Sequence, residues 1–192
     1  MLACAVAVPA RAEWPDRPIR FIVGFGPGGA NDLIARFAAE GVGKQLKQTV
    51  VVENRPGAGA VIGTAYVAHS APDGYTFLVG AANTITNSLL LKDLPYKDED
   101  LAPVGMIAVA PSTIIVNPSV PASNMKEFIA WAKAQDGKAT WSTAGNGSTP
   151  EFVAEMIKEA AGVSFNLIPF RSGGDSVNAV LANNVSATSE AS

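Results

Sequence analysis

The stretch Ile19-Arg20-Phe21-Ile22-Val23-Gly24-Phe25-Gly26-Pro27-Gly28-Gly29-Ala30-Asn31-Asp32 constrains this chain most. An apolar, β-branched run enters a glycine-rich turn, and the turn opens straight into a helical pattern. So short a strand-to-helix passage predicts a βα unit and therefore a parallel sheet. It also aims several backbone N–H groups, and the positive end of a helix dipole, at one point. Such a point is a seat for a carboxylate or phosphate.

The same alternation continues. Strands are predicted at 19–25, 49–53, 75–79, 104–109, 113–116, 139–142 and 165–170. Helical stripes lie between several of them: Leu33, Ile34, Phe37, Ala38, Val42 and Leu46; Phe128, Ile129, Ala132 and Lys133; Phe152, Val153, Met156, Ile157 and Ala160. An α/β fold built from βαβ units follows. A polar turn at residues 94–100 precedes two apolar segments broken by Pro103, Pro111, Pro118 and Pro121. There the chain is expected to cross from one α/β lobe (13–108) into a second (109–192).

Residues 1–12 are apolar and small and end Ala10-Arg11-Ala12, which reads as the remnant of a secretory signal peptide cleaved after Ala12. Cys4, the single cysteine, falls in that leader, so disulfide and thiol chemistry are excluded from the mature chain. Elsewhere no apolar run is long enough to span a bilayer. The 14 Lys and Arg face 17 Asp and Glu, and loss of Arg11 takes the net charge from −3 to −4. The charges are mixed, with no basic cluster, which excludes nucleic acid and anionic membrane surfaces as partners. An exported, monomeric protein outside the membrane is expected.

A second glycine-rich passage follows the strand at 139–142: Thr143-Ala144-Gly145-Asn146-Gly147-Ser148-Thr149-Pro150-Glu151. Ser148 with Glu151 fits a capping box, and Pro150 suits the first helical turn. Two helix N-termini facing across a cleft would grip a small organic acid from both sides. Asn83, Thr84 and Asn87 follow the third strand and offer amides and a hydroxyl to the same cleft. Arg171, Gly173 and Asp175 follow the last one, where Arg171 is equally suited to a ligand carboxylate or to plain surface exposure. The loop 54–59 reads as a structural turn. Gly24-x-Gly26-x-x-Gly29, with Glu53 ending the next strand, also matches a dinucleotide fingerprint, and so leaves a nucleotide-dependent oxidoreductase open. Pro27 removes a donor from that turn, and a packing turn is the third reading. His69 is the single histidine, expected in a core or on the surface. Catalytic residues, metal ligands and cofactors are not indicated.

Several strings together carry a resemblance: Trp14-Pro15-Asp16-Arg17-Pro18-Ile19-Arg20, Gly26-Pro27-Gly28-Gly29-Ala30-Asn31-Asp32, Val50-Val51-Val52-Glu53-Asn54-Arg55-Pro56-Gly57-Ala58-Gly59, Pro72-Asp73-Gly74-Tyr75-Thr76 and Leu94-Pro95-Tyr96. From Trp14 to Leu181 the chain resembles the Bug (TctC-like) family, the periplasmic receptors of tripartite tricarboxylate transporters. The resemblance implies a two-lobed Venus-flytrap fold that closes on a carboxylated solute and delivers it to a membrane permease. It also implies that Phe25–Asn31 hold a ligand carboxylate through backbone N–H groups, with Ser142–Thr149 and Ala81–Asn87 as further ligand loops.

This chain departs from the family at three places. Phe25-Gly26-Pro27-Gly28-Gly29 stands where the family has Phe-Pro-Pro-Gly-Gly. Arg171-Ser172-Gly173 replaces Tyr-Lys-Gly. Residues 183–192 lack the Gly-Gly-Gln-Val-Asp pattern, and the chain is shorter than the family, so a truncated or frame-altered second lobe is expected. The overall expectation is a non-enzymatic receptor for a di- or tricarboxylate, an acidic amino acid or an aromatic acid. A ligand sensor that feeds a signalling partner is the alternative within that class.

Overall fold

A computed structural model describes residues 13–191. The expected leader, with Cys4 and its cleavage site, lies outside the described residues. The element order is β1 (Ile19–Val23), α1 (Ala30–Leu46), β2 (Val50–Asn54), α2 (Val61–Ala68), β3 (Thr76–Val79), α3 (Ala82–Leu90), β4 (Ser112–Val116), α4 (Met125–Ala134), β5 (Thr140–Thr143), α5 (Thr149–Ala161), β6 (Asn166–Pro169), α6 (Gly173–Leu181) and β7 (Ala187–Ala191).

Two sheets result. In the first, β1 lies between β2 and β3, all parallel, with Phe21 opposite Val52 on one side and Phe77 on the other. The second has the order β4-β7-β5-β6. Here β5 runs parallel to both β6 and β7, while β4 is antiparallel to β7. The all-parallel expectation therefore holds for the first sheet alone. A polar tail such as Ala187-Thr188-Ser189-Glu190-Ala191 gives no apolar strand signal, yet it becomes the second strand of a sheet whose neighbours supply the ladder.

Each sheet has its own core. Ile19, Phe21, Val23 and Val79 pack under Ala35 and Ala39 of α1. Of the stripe expected on α1, Ala38, Val42 and Leu46 pack against this core, whereas Leu33 and Phe37 face outward at 59% and 80% exposure, and the small Ala35 and Ala39 let the helix approach the sheet closely. In the second core Trp141 is fully buried against Phe128 and Phe165, and its indole N–H is satisfied by the Pro150 carbonyl at 2.9 Å. Burying a large ring while satisfying its one donor makes this cluster the anchor of the second sheet.

Residues 101–111 differ from the strand expected over 104–109. They are irregular and exposed, with Val104, Met106 and Val109 each at least 80% exposed. An apolar β-branched run becomes a strand only beside an open ladder, and neither sheet extends to this segment. It crosses between the sheets and forms part of a cavity wall.

Candidate functional site

The turn after β1 is held by an acid. Asp32, 3% exposed in the first turn of α1, accepts the N–H of Gly28 (3.0 Å), the amide of Asn54 (2.9 Å) and the guanidinium of Arg36 (3.0 Å). Burial alone would raise its pKa. The three hydrogen bonds outweigh that and hold the carboxyl below the usual range. The amide of Asn54 also reaches the Phe25 carbonyl at 3.0 Å, which ties the end of β2 to the turn. Gly28 has φ +83° with open space around it, whereas Gly29 has ordinary backbone and is small for another reason. A Cβ on Gly29 would come within 3.2 Å of the Gly173 nitrogen.

The two halves of the molecule touch at two junctions. At the first, Gly26 N–H donates to the Arg171 carbonyl at 3.0 Å, and Gly174 packs on the Gly28 carbonyl. At the second, Gly59 lies against the carbonyl of Asn146, and its own carbonyl accepts the amides of Asn83 and Asn87 at 2.5 and 3.2 Å. The loop expected to be a structural turn is thus a contact between halves.

Between these junctions lies a cavity of about 440 Å³. Four helices begin on its wall: α1 at Gly29-Ala30-Asn31, α3 at Ala81-Ala82-Asn83, α5 at Ser148-Thr149-Pro150, and α6 at Gly173. Each helix head carries a partial positive charge, and that of α6 is capped by the Ser172 hydroxyl, which accepts the Asp175 N–H at 3.1 Å. Phe25, Ala144 and residues 105–110 complete much of the remainder.

Of the residues singled out in the sequence, Phe25, Gly29, Ala30, Asn31, Asn83, Ala144, Ser148, Thr149 and Gly173 line this cavity. Gly26, Pro27, Gly28, Thr84, Asn87, Thr143, Gly145, Asn146, Gly147, Arg171 and Asp175 do not. Thr84 turns its hydroxyl back to the Ala81 N–H, and Asn87 is spent on Gly59. Arg171 and Asp175 are exposed. His69 is exposed at the end of α2.

The capping box expected at Ser148 does not form, since the Ser148 N–H goes to the Gly145 carbonyl. Glu151 reaches back to the Gly147 N–H, but the Ser148 hydroxyl makes no cap bond. Ser148 is 2% exposed, and its Oγ has no partner among the described residues. The same holds for Asn83 Oδ1 and Ser189 Oγ, and all three residues lie on the cavity wall. Buried polar atoms without partners are uncommon in folded proteins. Three of the five such atoms among the described residues belong to this wall, the other two being Arg55 Nε and Tyr96 Oη.

Ser189 and Glu190 were not legible as site residues. The Glu190 carboxylate accepts the N–H groups of Ala30 and Ala191. Burial pushes its carboxyl up, and those two bonds only partly offset the shift.

The acid required by the dinucleotide reading is engaged elsewhere. Both oxygens of Glu53 are taken by Arg20, at 2.6 and 2.7 Å, with Arg55 adding a third contact at 3.3 Å. The Arg20 bonds chiefly hold Glu53 below its usual pKa, and no side remains for a ribose. Among the described residues, no group of His, Cys, Asp and Glu could hold a metal ion, and no helix is long and apolar enough to cross a membrane.

Residues 34–191 match the model of the tripartite tricarboxylate transporter family receptor (TctC). Protein BugT of Bordetella pertussis (strain Tohama I) is 37% identical over 189 residues, covering 96% of this chain and 58% of its own. The structure of periplasmic binding protein BugD superposes with a TM-score of 0.88 at 35% identity, over 93% of this chain and 60% of BugD. R. palustris Rpa4515 with adipate gives 0.89 at 28% identity, over 93% and 60%. The chain spans about half the length of the curated relatives it matches. The family pattern covers most of the sequence, and the chain belongs to the receptor family of the tripartite tricarboxylate transporters, whose solved relatives are periplasmic binding proteins of this α/β fold.

Proposed function

We propose that this chain is a non-enzymatic extracytoplasmic receptor, exported through a cleaved leader. As a monomer it would capture a small carboxylate and pass it to the membrane permease of a tripartite transporter. Two lobes, 13–108 and 109–192, would close on the solute. The observation that carries the reading is the convergence of four helix heads on one cavity that also holds three unpartnered buried polar atoms. A small anion placed there gains backbone donors and helix-dipole attraction without any cationic side chain. Asn31, Asn83, Ser148 and Thr149 are the side chains proposed to orient it. The adipate held by a relative of the same fold supports the ligand class.

A thermal-shift screen of dicarboxylates, tricarboxylates, acidic amino acids and aromatic acids tests this. A ligand at a hundred times its Kd stabilises by about 2.7 kcal/mol, a rise of roughly 5–10 °C for a chain of this size. A shift of that order for at least one class supports the reading. No shift for any class contradicts it.

A further inference from the structure

The cavity carries one charge that its glycine turns do not advertise. Glu190 is the sole ionisable side chain on its wall among the described residues. Its carboxylate caps the head of α1 through the Ala30 N–H, although Glu190 belongs to the other sheet. It also packs so tightly on the head of α6 that a Cβ on Gly173 would lie 1.6 Å from Oε2. Two of the four helix heads are therefore already met by an anion of the chain itself. No ion pair among the described residues includes Glu190.

Ser148 offers the contrasting end. Its buried, unpartnered hydroxyl stands at the head of α5 beside Thr149, with no acid on the cavity wall there. One carboxylate fits this end. Near Glu190 the wall holds no cationic side chain among the described residues. An ammonium group has three protons to donate and nothing to accept with, so it suits the Glu190 carboxylate. A second carboxylate would meet Glu190 in a poorly solvated space with no cation to relieve the repulsion.

Building on the receptor reading above, we propose that the solute is a zwitterion. Its carboxylate lies at Ser148 and Thr149, and its cationic nitrogen is the counter-ion of Glu190. A dicarboxylate of equal length is discriminated against.

Calorimetry with 5-aminopentanoate, pentanoate and glutarate, three acids of one chain length, tests this on the chain and on Glu190→Gln. The expected order at neutral pH and low salt is 5-aminopentanoate, pentanoate, glutarate, with about tenfold or more between the ends. In Glu190→Gln that gap closes to about threefold or less. If Glu190→Gln does not fold, Glu190→Asp must keep the order, since it keeps the charge. Glutarate binding as tightly as 5-aminopentanoate overturns the zwitterion proposal and leaves the receptor reading standing. An order unchanged in Glu190→Gln overturns it too. Failure of all three acids, together with a flat thermal-shift screen, overturns both.

Discussion

A Cβ placed on Gly59 would lie 2.1 Å from the carbonyl oxygen of Asn146, a residue of the other half of the molecule. Gly59 also has φ +61°, which disfavours any side chain. Gly59→Ala should therefore cost about 2–4 kcal/mol, combining backbone strain with forced separation of the halves. Gly28→Ala shares the positive φ but faces open space, so its cost should stay near 1 kcal/mol. Urea unfolding of the two variants checks the ranking, and equal losses would show that the Gly59 contact holds nothing together.

Gly29→Val should act through the partner loop. The substituted Cβ meets the Gly173 nitrogen at 3.2 Å, and the branches beyond it add bulk to the cavity wall. Loss of carboxylate binding with a modest fall in stability is expected. Titration calorimetry showing unchanged affinity would remove the first turn from the site.

Asp32 sets the acid sensitivity of the turn. Its folded pKa is depressed, so its contribution is present above the ordinary aspartate value, about 3.9, and is lost as pH falls through the lower folded value. Glu190 has the opposite sign. Its folded pKa is raised, so the charged form is penalised, and stability rises as pH falls through that raised value toward about 4.3. Asp32→Asn should cost about 1.5–3 kcal/mol at pH 7, by loss of charge-assisted hydrogen bonds. Glu190→Gln should remove the gain on the acid side. Denaturant melts between pH 3 and 7 separate the two.

Much of this was legible before any coordinates. Each strand-then-glycine passage in the sequence became a βα unit, because local turn chemistry alone decides such a connection. Three features were not. The strand over 187–191 is polar and is built by its neighbours' ladders. The segment 104–109 is apolar enough for a strand but finds no open edge. Glu190 reaches the site across the sheet-to-sheet gap, and no spacing in a sequence reports a contact between residues 30 and 190. Motif reading also overstated the loops, since Asn87 and Thr84 are consumed by the structure they were expected to offer to a ligand.

The dinucleotide fingerprint Gly24-x-Gly26-x-x-Gly29 should not bind NAD, because Arg20 occupies both oxygens of Glu53. Protein fluorescence titrated with NAD should stay flat. Saturable quenching would reopen the oxidoreductase reading.

Ser148 gives the most direct test of the receptor reading, because its hydroxyl caps nothing and has no partner. Removing a buried, unpaired hydroxyl should leave stability within about 0.5 kcal/mol or raise it slightly, whereas a true N-cap would cost about 1 kcal/mol. The same change should weaken carboxylate binding by about ten- to a hundredfold, the worth of one hydrogen bond to a charged group. Paired unfolding and calorimetric titration of the chain and of Ser148→Ala, using the acid that gives the largest thermal shift, provide the measurement. Unchanged stability with weakened binding is the expected result. Lost stability with untouched affinity would make Ser148 only a cap and would contradict a carboxylate site in this cavity.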